Sequence, residues 1–200
     1  MNSRPTSALF SPRRVAQLAA FTALLLGTGA PARAQSGPSI TDFTLKTAAN
    51  AAVSLKSYAG SKAVVVVFVN PACPFTRLYQ GRLSALSSSY GGRGVPFLFV
   101  NVPINLDAAA PTGGSIGLPT LTDDSQQVSA QLGISKTTEA VVLQPEGGRF
   151  VVRYQGAIDD NPQVAGSVQQ RYLQQALDNV LAGRPAGVEG KRAAGCLIKR

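Results

Sequence analysis

The sequence predicts an α/β fold, a central mixed β-sheet flanked by helices and entered through an N-terminal edge hairpin. Three observations carry this. Val64 to Val69 reads VVVVFV, the continuous β-branched and aromatic run of a strand buried on both faces. A helical pattern and a second apolar run follow it, giving one βαβ unit. Beyond residue 140 the order changes to a hairpin and then an amphipathic helix, so the chain reads βαβ followed by ββα.

Taken in order, Phe43 to Lys46 and Val53 to Leu55 are short apolar segments around the polar turn Ala49-Asn50, the pattern of an edge hairpin. After the VVVVFV strand, Phe75, Leu78, Tyr79, Leu83, Leu86 and Tyr90 recur at helical spacing. Pro74 fits the first helical position and Gly91-Gly92 the stop. Phe97 to Val102 is the next strand, and Asn105 to Pro119, rich in Ala, Gly and Pro, is a loop. Ser125 is expected to cap a short helix through Val128 and Leu132. Ala140 to Gln144 and Phe150 to Tyr154 form a hairpin across Pro145-Glu146-Gly147-Gly148. Val168, Tyr172, Leu173, Ala176, Leu177, Val180 and Leu181 mark a last helix, capped by Ser167 and ended by Gly183.

Composition narrows the chemistry. The 200 residues are 44% hydrophobic and 14% charged, enough apolar surface for one sizeable core and too much for a disordered chain. With no histidine, imidazole catalysis and imidazole metal ligation are excluded. Two cysteines are too few for a disulfide scaffold or a thiolate metal site. Residues 1–34 carry Arg4, Arg13, Arg14 and Arg33 with no acid, then the apolar stretch VAQLAAFTALLLG, then Ala32-Arg33-Ala34. This is a signal-peptide layout, too short to span a membrane stably, with cleavage near Ala34 and a mature chain from Gln35. Arg13-Arg14 also permits a twin-arginine route, so the choice between that and Sec export stays open.

The mature chain then holds 15 basic and 10 acidic residues, and five of the basic ones face only Glu189 within the tail 184–200. The domain 35–183 is close to neutral, which argues against a nucleic-acid surface. The tail reads as a solvated basic end, with an anionic partner as the alternative.

Cys73 is the residue with chemical promise. In Asn70-Pro71-Ala72-Cys73-Pro74-Phe75 it falls between the buried strand and the N-terminus of the first long helix. Unpaired amides and the helix dipole at such a site lower a thiol pKa from about 8.5 to roughly 3.5–7.5, and Arg77 one turn on adds to the field. Three readings stand: a nucleophilic thiolate, a structural disulfide with Cys196, or an inert buried thiol. The disulfide would contribute about 5 kcal/mol by loop entropy. Against it, Cys196 sits in Gly195-Cys196-Leu197-Ile198 on a tail that reads as mobile. Asp159-Asp160-Asn161-Pro162 and Asp123-Asp124 fit turns and helix caps better than a cation site, so no metal is expected. Gly113-Gly114 and Gly147-Gly148 fit turns, lacking phosphate-loop spacing.

The strand VVVVFVN running into Pro71-Ala72-Cys73-Pro74, the later Tyr154-Gln155-Gly156-Ala157-Ile158-Asp159-Asp160 and the terminal Gly195-Cys196-Leu197-Ile198-Lys199 together resemble the peroxiredoxin-like (redoxin, AhpC/TSA-type) branch of the thioredoxin-fold superfamily. The resemblance runs from about Ile40 to the C-terminus. It implies a thioredoxin-like fold and Cys73 as the attacking cysteine, and matches Cys196 to the family's terminal cysteine; no cofactor is expected. Several positions depart from the family pattern. Thr76 stands where a thioredoxin has its second active-site cysteine, so Cys73-Pro74-Phe75-Thr76 closes no local disulfide. Val66 and Asn70 stand where typical peroxiredoxins have Pro and Thr, and Lys136-Thr137-Thr138-Glu139 where they have an arginine. Thr138 takes the place of the thioredoxin cis-proline.

The expectation is therefore a periplasmic or secreted thiol oxidoreductase in which Cys73 attacks a peroxide or a disulfide. Cys196 would resolve it and an external thiol would reduce it. Asn70, Pro74, Thr76, Arg77 and Thr138 are the supporting candidates, and a homodimer paired through an edge strand is compatible with the fold. The rival expectations are a non-catalytic envelope binding module and a domain stapled by Cys73 and Cys196.

Overall fold

The computed structural model describes residues 37–105 and 115–200. The expected leader 1–34, its cleavage site and the Gly113-Gly114 turn lie outside the described residues. Eight strands form one mixed sheet in the order β1-β8-β7-β4-β5-β6-β2-β3. In chain order these are β1 (Ser39–Ile40), β2 (Thr44–Lys46), β3 (Ala52–Ser54), β4 (Val64–Val69), β5 (Phe97–Asn101), β6 (Thr120–Thr122), β7 (Ala140–Glu146) and β8 (Arg149–Gly156). The helices are α1 (Pro74–Gly91), α2 (Gln127–Gln131) and α3 (Tyr172–Leu181). β4 runs parallel to β5, pairing Val65 with Phe97, and antiparallel to β7, pairing Val66 with Val141. β7 and β8 close a hairpin at Gly147-Gly148, both with positive φ, the geometry a two-residue primed turn requires. The β2–β3 hairpin stands at one edge, as the sequence predicts.

Every residue of β4 is buried because the sheet is covered on both sides. Val65, Val67 and Val69 pack with Tyr79 and Leu83 of α1 and with Leu173, Ala176 and Leu177 of α3. Val64, Val66 and Phe68 face the opposite layer, with Leu45, Leu55, Val128 and Leu132. Each fully buried aliphatic or aromatic side chain of this kind contributes about 1.5–3 kcal/mol.

Four local expectations are corrected. Leu78, placed by periodicity on the apolar face of α1, is 46% exposed. Gln126 is the N-cap residue of α2, and the first-turn amides of Val128 and Ser129 donate to the upstream Asp123 carboxylate at 3.3 and 2.9 Å, not to Ser125. A carboxylate reaches two amides at once where a serine hydroxyl reaches one. Ser167 lies in a separate 3-10 turn, Ala165–Ser167, and α3 starts only at Tyr172 with Arg171 before it. β1 and β6, too short to show a period, add strands the sequence pattern does not announce.

A buried polar network fixes α1 to the segment after β8. The Tyr79 hydroxyl donates to Asp159 at 2.8 Å, and Arg82 pairs with the same carboxylate at 2.6 Å. Arg82 also donates to the carbonyls of Asn161 and Pro162 and lies over the Tyr79 ring at 4.1 Å. Burial, with Asp159 beside it, pushes the Tyr79 hydroxyl far above the ordinary tyrosine value, so it stays a donor. Tyr90 repeats the motif nearer the helix end, donating to Asp178 at 2.8 Å, and burial and that carboxylate push its hydroxyl up to about 12. Asp159 and Asp160 thus serve protein donors, Asp160 accepting from the Gln169 amide. Among the described residues no cluster of three metal-ligating side chains occurs.

Candidate active site

The turn from β4 into α1 is built by Asn70. Its side-chain oxygen accepts from the Ala72 amide at 2.9 Å, its side-chain amide donates to the Val102 carbonyl at 2.7 Å, and its carbonyl accepts from the Cys73 amide at 3.0 Å. The turn is thereby tied to the end of the neighbouring strand β5. The hydroxyl of Thr76, fully buried, accepts from the Asn70 amide at 3.3 Å and closes the loop from the helix side. Cys73 becomes the N-cap and Pro74 the first helical residue, which places the sulfur where the first-turn amides lack carbonyl partners. The Arg77 guanidinium donates to the Pro71 carbonyl at 3.1 Å, on the same turn.

Cys73 and Cys196 form a disulfide across a sequence separation of 123 residues, with Cα atoms 5.9 Å apart. The tail is not a free end. Its residues run as a strap across the molecule, and the Ala157 amide donates to the Lys191 carbonyl at 2.8 Å. Further on, the Thr137 amide donates to the Cys196 carbonyl at 2.9 Å, the Asn105 amide to the Leu197 carbonyl at 2.9 Å and the Ile198 amide to the Ser135 carbonyl at 3.0 Å. Ile198 is buried against the α2 layer. The glycine content that suggests mobility has another cause at Gly195. A Cβ there would lie 1.9 Å from the Thr137 carbonyl oxygen, so only glycine lets the strap seat.

Thr137 completes the site and is the residue that sequence reasoning missed. Its hydroxyl accepts from the Cys196 amide at 2.9 Å and donates to Cys73 Sγ at 3.1 Å, and the residue is fully buried. Thr138, the sequence candidate for this position, instead turns away: its φ is 58°, its amide donates to Phe68 and its hydroxyl to the Ala194 carbonyl. The contact to sulfur thus comes one residue earlier than expected. Nothing local in Lys136-Thr137-Thr138-Glu139 distinguishes the two threonines.

Cys73 is fully buried among Ala72 and Ile104, with Phe75 and the half-buried Cys196 packed against them. Of the two cysteines, Cys196 is the less buried. A donor on Sγ favours the thiolate over the thiol once the bond is reduced. Thr137→Val should accordingly raise the Cys73 thiol pKa, read from thiolate absorbance during a pH titration of the reduced protein. An unchanged titration curve would remove Thr137 from any role in activating the sulfur.

The AhpC/TSA family model matches residues 37–161, more than half of the chain. The chain belongs to the AhpC/TSA family. The match covers β1 through β8 and Cys73 and ends before the strap that carries Cys196. Among solved structures, a hypothetical protein from Sinorhizobium meliloti 1021 is similar at 27% identity and a TM-score of 0.69, over 83% of this chain and 94% of that one. An uncharacterized conserved protein from Geobacillus kaustophilus is similar at 26% identity and a TM-score of 0.69, over 82% and 92%. A candidate thiol:disulfide interchange protein DsbE from Chlorobium tepidum shares the fold at 17% identity and a TM-score of 0.51, over 76% and 98%. No curated protein matches. The architecture is that of the thioredoxin-like folds, as the redoxin resemblance implies. Among the described residues, no helix is long and apolar enough to cross a membrane.

Proposed function

We propose that this AhpC/TSA-family protein is an exported thiol-dependent oxidoreductase that cycles between the Cys73–Cys196 disulfide and the dithiol. The observation that carries this is the disulfide itself: one sulfur stands at the N-terminus of α1 under the Thr137 hydroxyl, the other on the strap. Cys73 is the attacking group because the helix end and the hydroxyl both stabilise its thiolate. With a peroxide, the thiolate takes one oxygen to become a sulfenic acid and releases hydroxide or water. Cys196 then attacks that sulfur, water leaves and the disulfide closes. With a disulfide, Cys73 forms a mixed disulfide and Cys196 displaces it. An external thiol returns the protein to the reduced state. Asn70 and Thr76 act as positioning residues by fixing the turn, and Pro74 by starting the helix without an amide to satisfy.

The test is to mix reduced protein with one equivalent of hydrogen peroxide, and separately with a peptide disulfide, and follow intact mass and a non-reducing digest. Oxidation of Cys73 within seconds, followed by linkage to Cys196, is the expected result with peroxide. If both thiols outlast many minutes of peroxide while the peptide disulfide is consumed, the reaction is disulfide exchange. Survival against both ends the enzyme reading.

A structural staple is the second reading, favoured by the complete burial of Cys73 and the pairing of the strap with residues 135–138. Melting with and without dithiothreitol separates the two. A staple closing this separation contributes about 5 kcal/mol, a loss of about 10–20 °C in a chain of this size. A cycling disulfide predicts a reduced form that still unfolds cooperatively within about 5 °C of the oxidised one.

A further inference from the structure

A cavity of about 380 Å³ is lined by α1, the segment after β8 and α3. It begins more than two turns along α1 from Cys73, and neither cysteine lines it. Its volume lies in the range of small-molecule sites. Ala85, Leu86, Ile158 and Val168 supply its apolar wall, Ile158 and Val168 from buried positions and Ala85 from an exposed one. Val164, 53% exposed, directly precedes the lining residue Ala165. The polar part of the lining is unbalanced. Three arginines, Arg82, Arg93 and Arg171, share it with two carboxylates. Asp159 already accepts from Tyr79, Arg82 and the Asn161 amide, and Asp178 from Tyr90 and Arg93. Arg171, exposed just before α3, makes no ion pair and no side-chain hydrogen bond among the described residues. The Nε of Arg82 is buried with no acceptor. Acceptors are thus committed and donors left over, and one positive charge stands unmatched.

We infer that this cavity is a binding site for a small monocarboxylate with an apolar body, of the kind represented by octanoate. Arg171 holds the carboxylate, since its planar fork offers two donors to the two oxygens, and the apolar body covers Leu86, Ile158 and Val168. A phosphate monoester, with close to two negative charges, fits the lining less well because Asp159 and Asp178 stand in the same wall. An ammonium would meet the unmatched arginine, and a neutral amide would leave its charge unanswered. The site goes beyond the redox reading and does not depend on it, because no covalent step takes place there.

The experiment is isothermal titration calorimetry of the full protein with octanoate, octanamide, octylammonium and acetate. Octanoate should bind one to one. Octanamide, which lacks the charge, and acetate, which lacks the apolar body, should each bind at least about tenfold more weakly, and octylammonium should not bind. Arg171→Ala removes an exposed side chain without a partner, so the fold should melt as before while octanoate affinity falls about tenfold and octanamide affinity stays the same. Ala85→Phe adds a ring at an exposed position of the apolar wall and should weaken octanoate several-fold. Four results would overturn the assignment: no octanoate binding at millimolar concentration, octanamide or acetate binding as tightly as octanoate, octylammonium binding at all, or octanoate affinity unchanged by both substitutions. Each stands whatever peroxide and disulfides do to the cysteines, so failure here and failure of the redox reading are separate results.

Discussion

Cys73→Ser should lower turnover of peroxide or disulfide by about a thousandfold or more, to the rate of buffer. A serine hydroxyl at the same helix terminus remains protonated at neutral pH, so the dipole and Thr137 have no anion to stabilise. Cys196→Ser should behave differently. The first oxidation of Cys73 should proceed at the wild-type rate, but no internal disulfide can close, and mass spectra should show a persistent sulfenate that climbs to sulfinate under excess peroxide. The contrast between the two variants is the informative result, because loss of the strap contact affects both. Equal turnover by wild type and Cys73→Ser would leave the AhpC/TSA fold here without thiol chemistry of its own.

Asp159→Ala should destabilise the oxidised protein by about 3–5 kcal/mol, with a melting temperature lower by about 10 °C. The size follows from what the carboxylate satisfies. It accepts from the Tyr79 hydroxyl, the Arg82 guanidinium and the Asn161 amide, while exposing 7% of its own surface. Removing it strands a largely buried cation and a buried hydroxyl with no water to replace the lost acceptor. Asp159→Asn, which keeps an acceptor for Tyr79 but not the charge, should cost less. Urea unfolding of the disulfide-intact protein measures both, and a loss under about 1 kcal/mol for the alanine variant would show that Arg82 finds compensation from the Asn161 and Pro162 carbonyls alone.

Much of the fold was legible because its signals are local. VVVVFV reads as a strand covered on both faces because its residues are β-branched or aromatic, and Pro74 with Gly91 bracketed α1 at the limits the structure shows. The Gly147-Gly148 turn announced the β7–β8 hairpin. Legibility failed where a residue answers to a distant partner. Leu78 obeys the helical period and still faces solvent, because the sheet meets α1 through Thr76, Tyr79 and Leu83. Ser125 and Ser167 are sound capping residues in isolation, but Asp123 offers α2 a better acceptor and the chain before α3 takes a 3-10 turn first. Gly195 reads as a flexible tail glycine and is a point of close backbone approach.

The sequence by itself determined the order of the longer elements, the α/β class and the seat of Cys73 at a helix N-terminus, since hydrophobic period, turn chemistry and capping act over a few residues; the thioredoxin-like class followed from the resemblance of its motifs to the redoxins. Only the tertiary structure decided that Thr137 rather than Thr138 meets the sulfur, that the tail is a seated strap, and that Cys73 is joined to Cys196. Those contacts span 64 and 123 residues. No local preference encodes them, and they form because the sheet, once packed on both faces, brings the 135–138 segment and the strap to the end of β4.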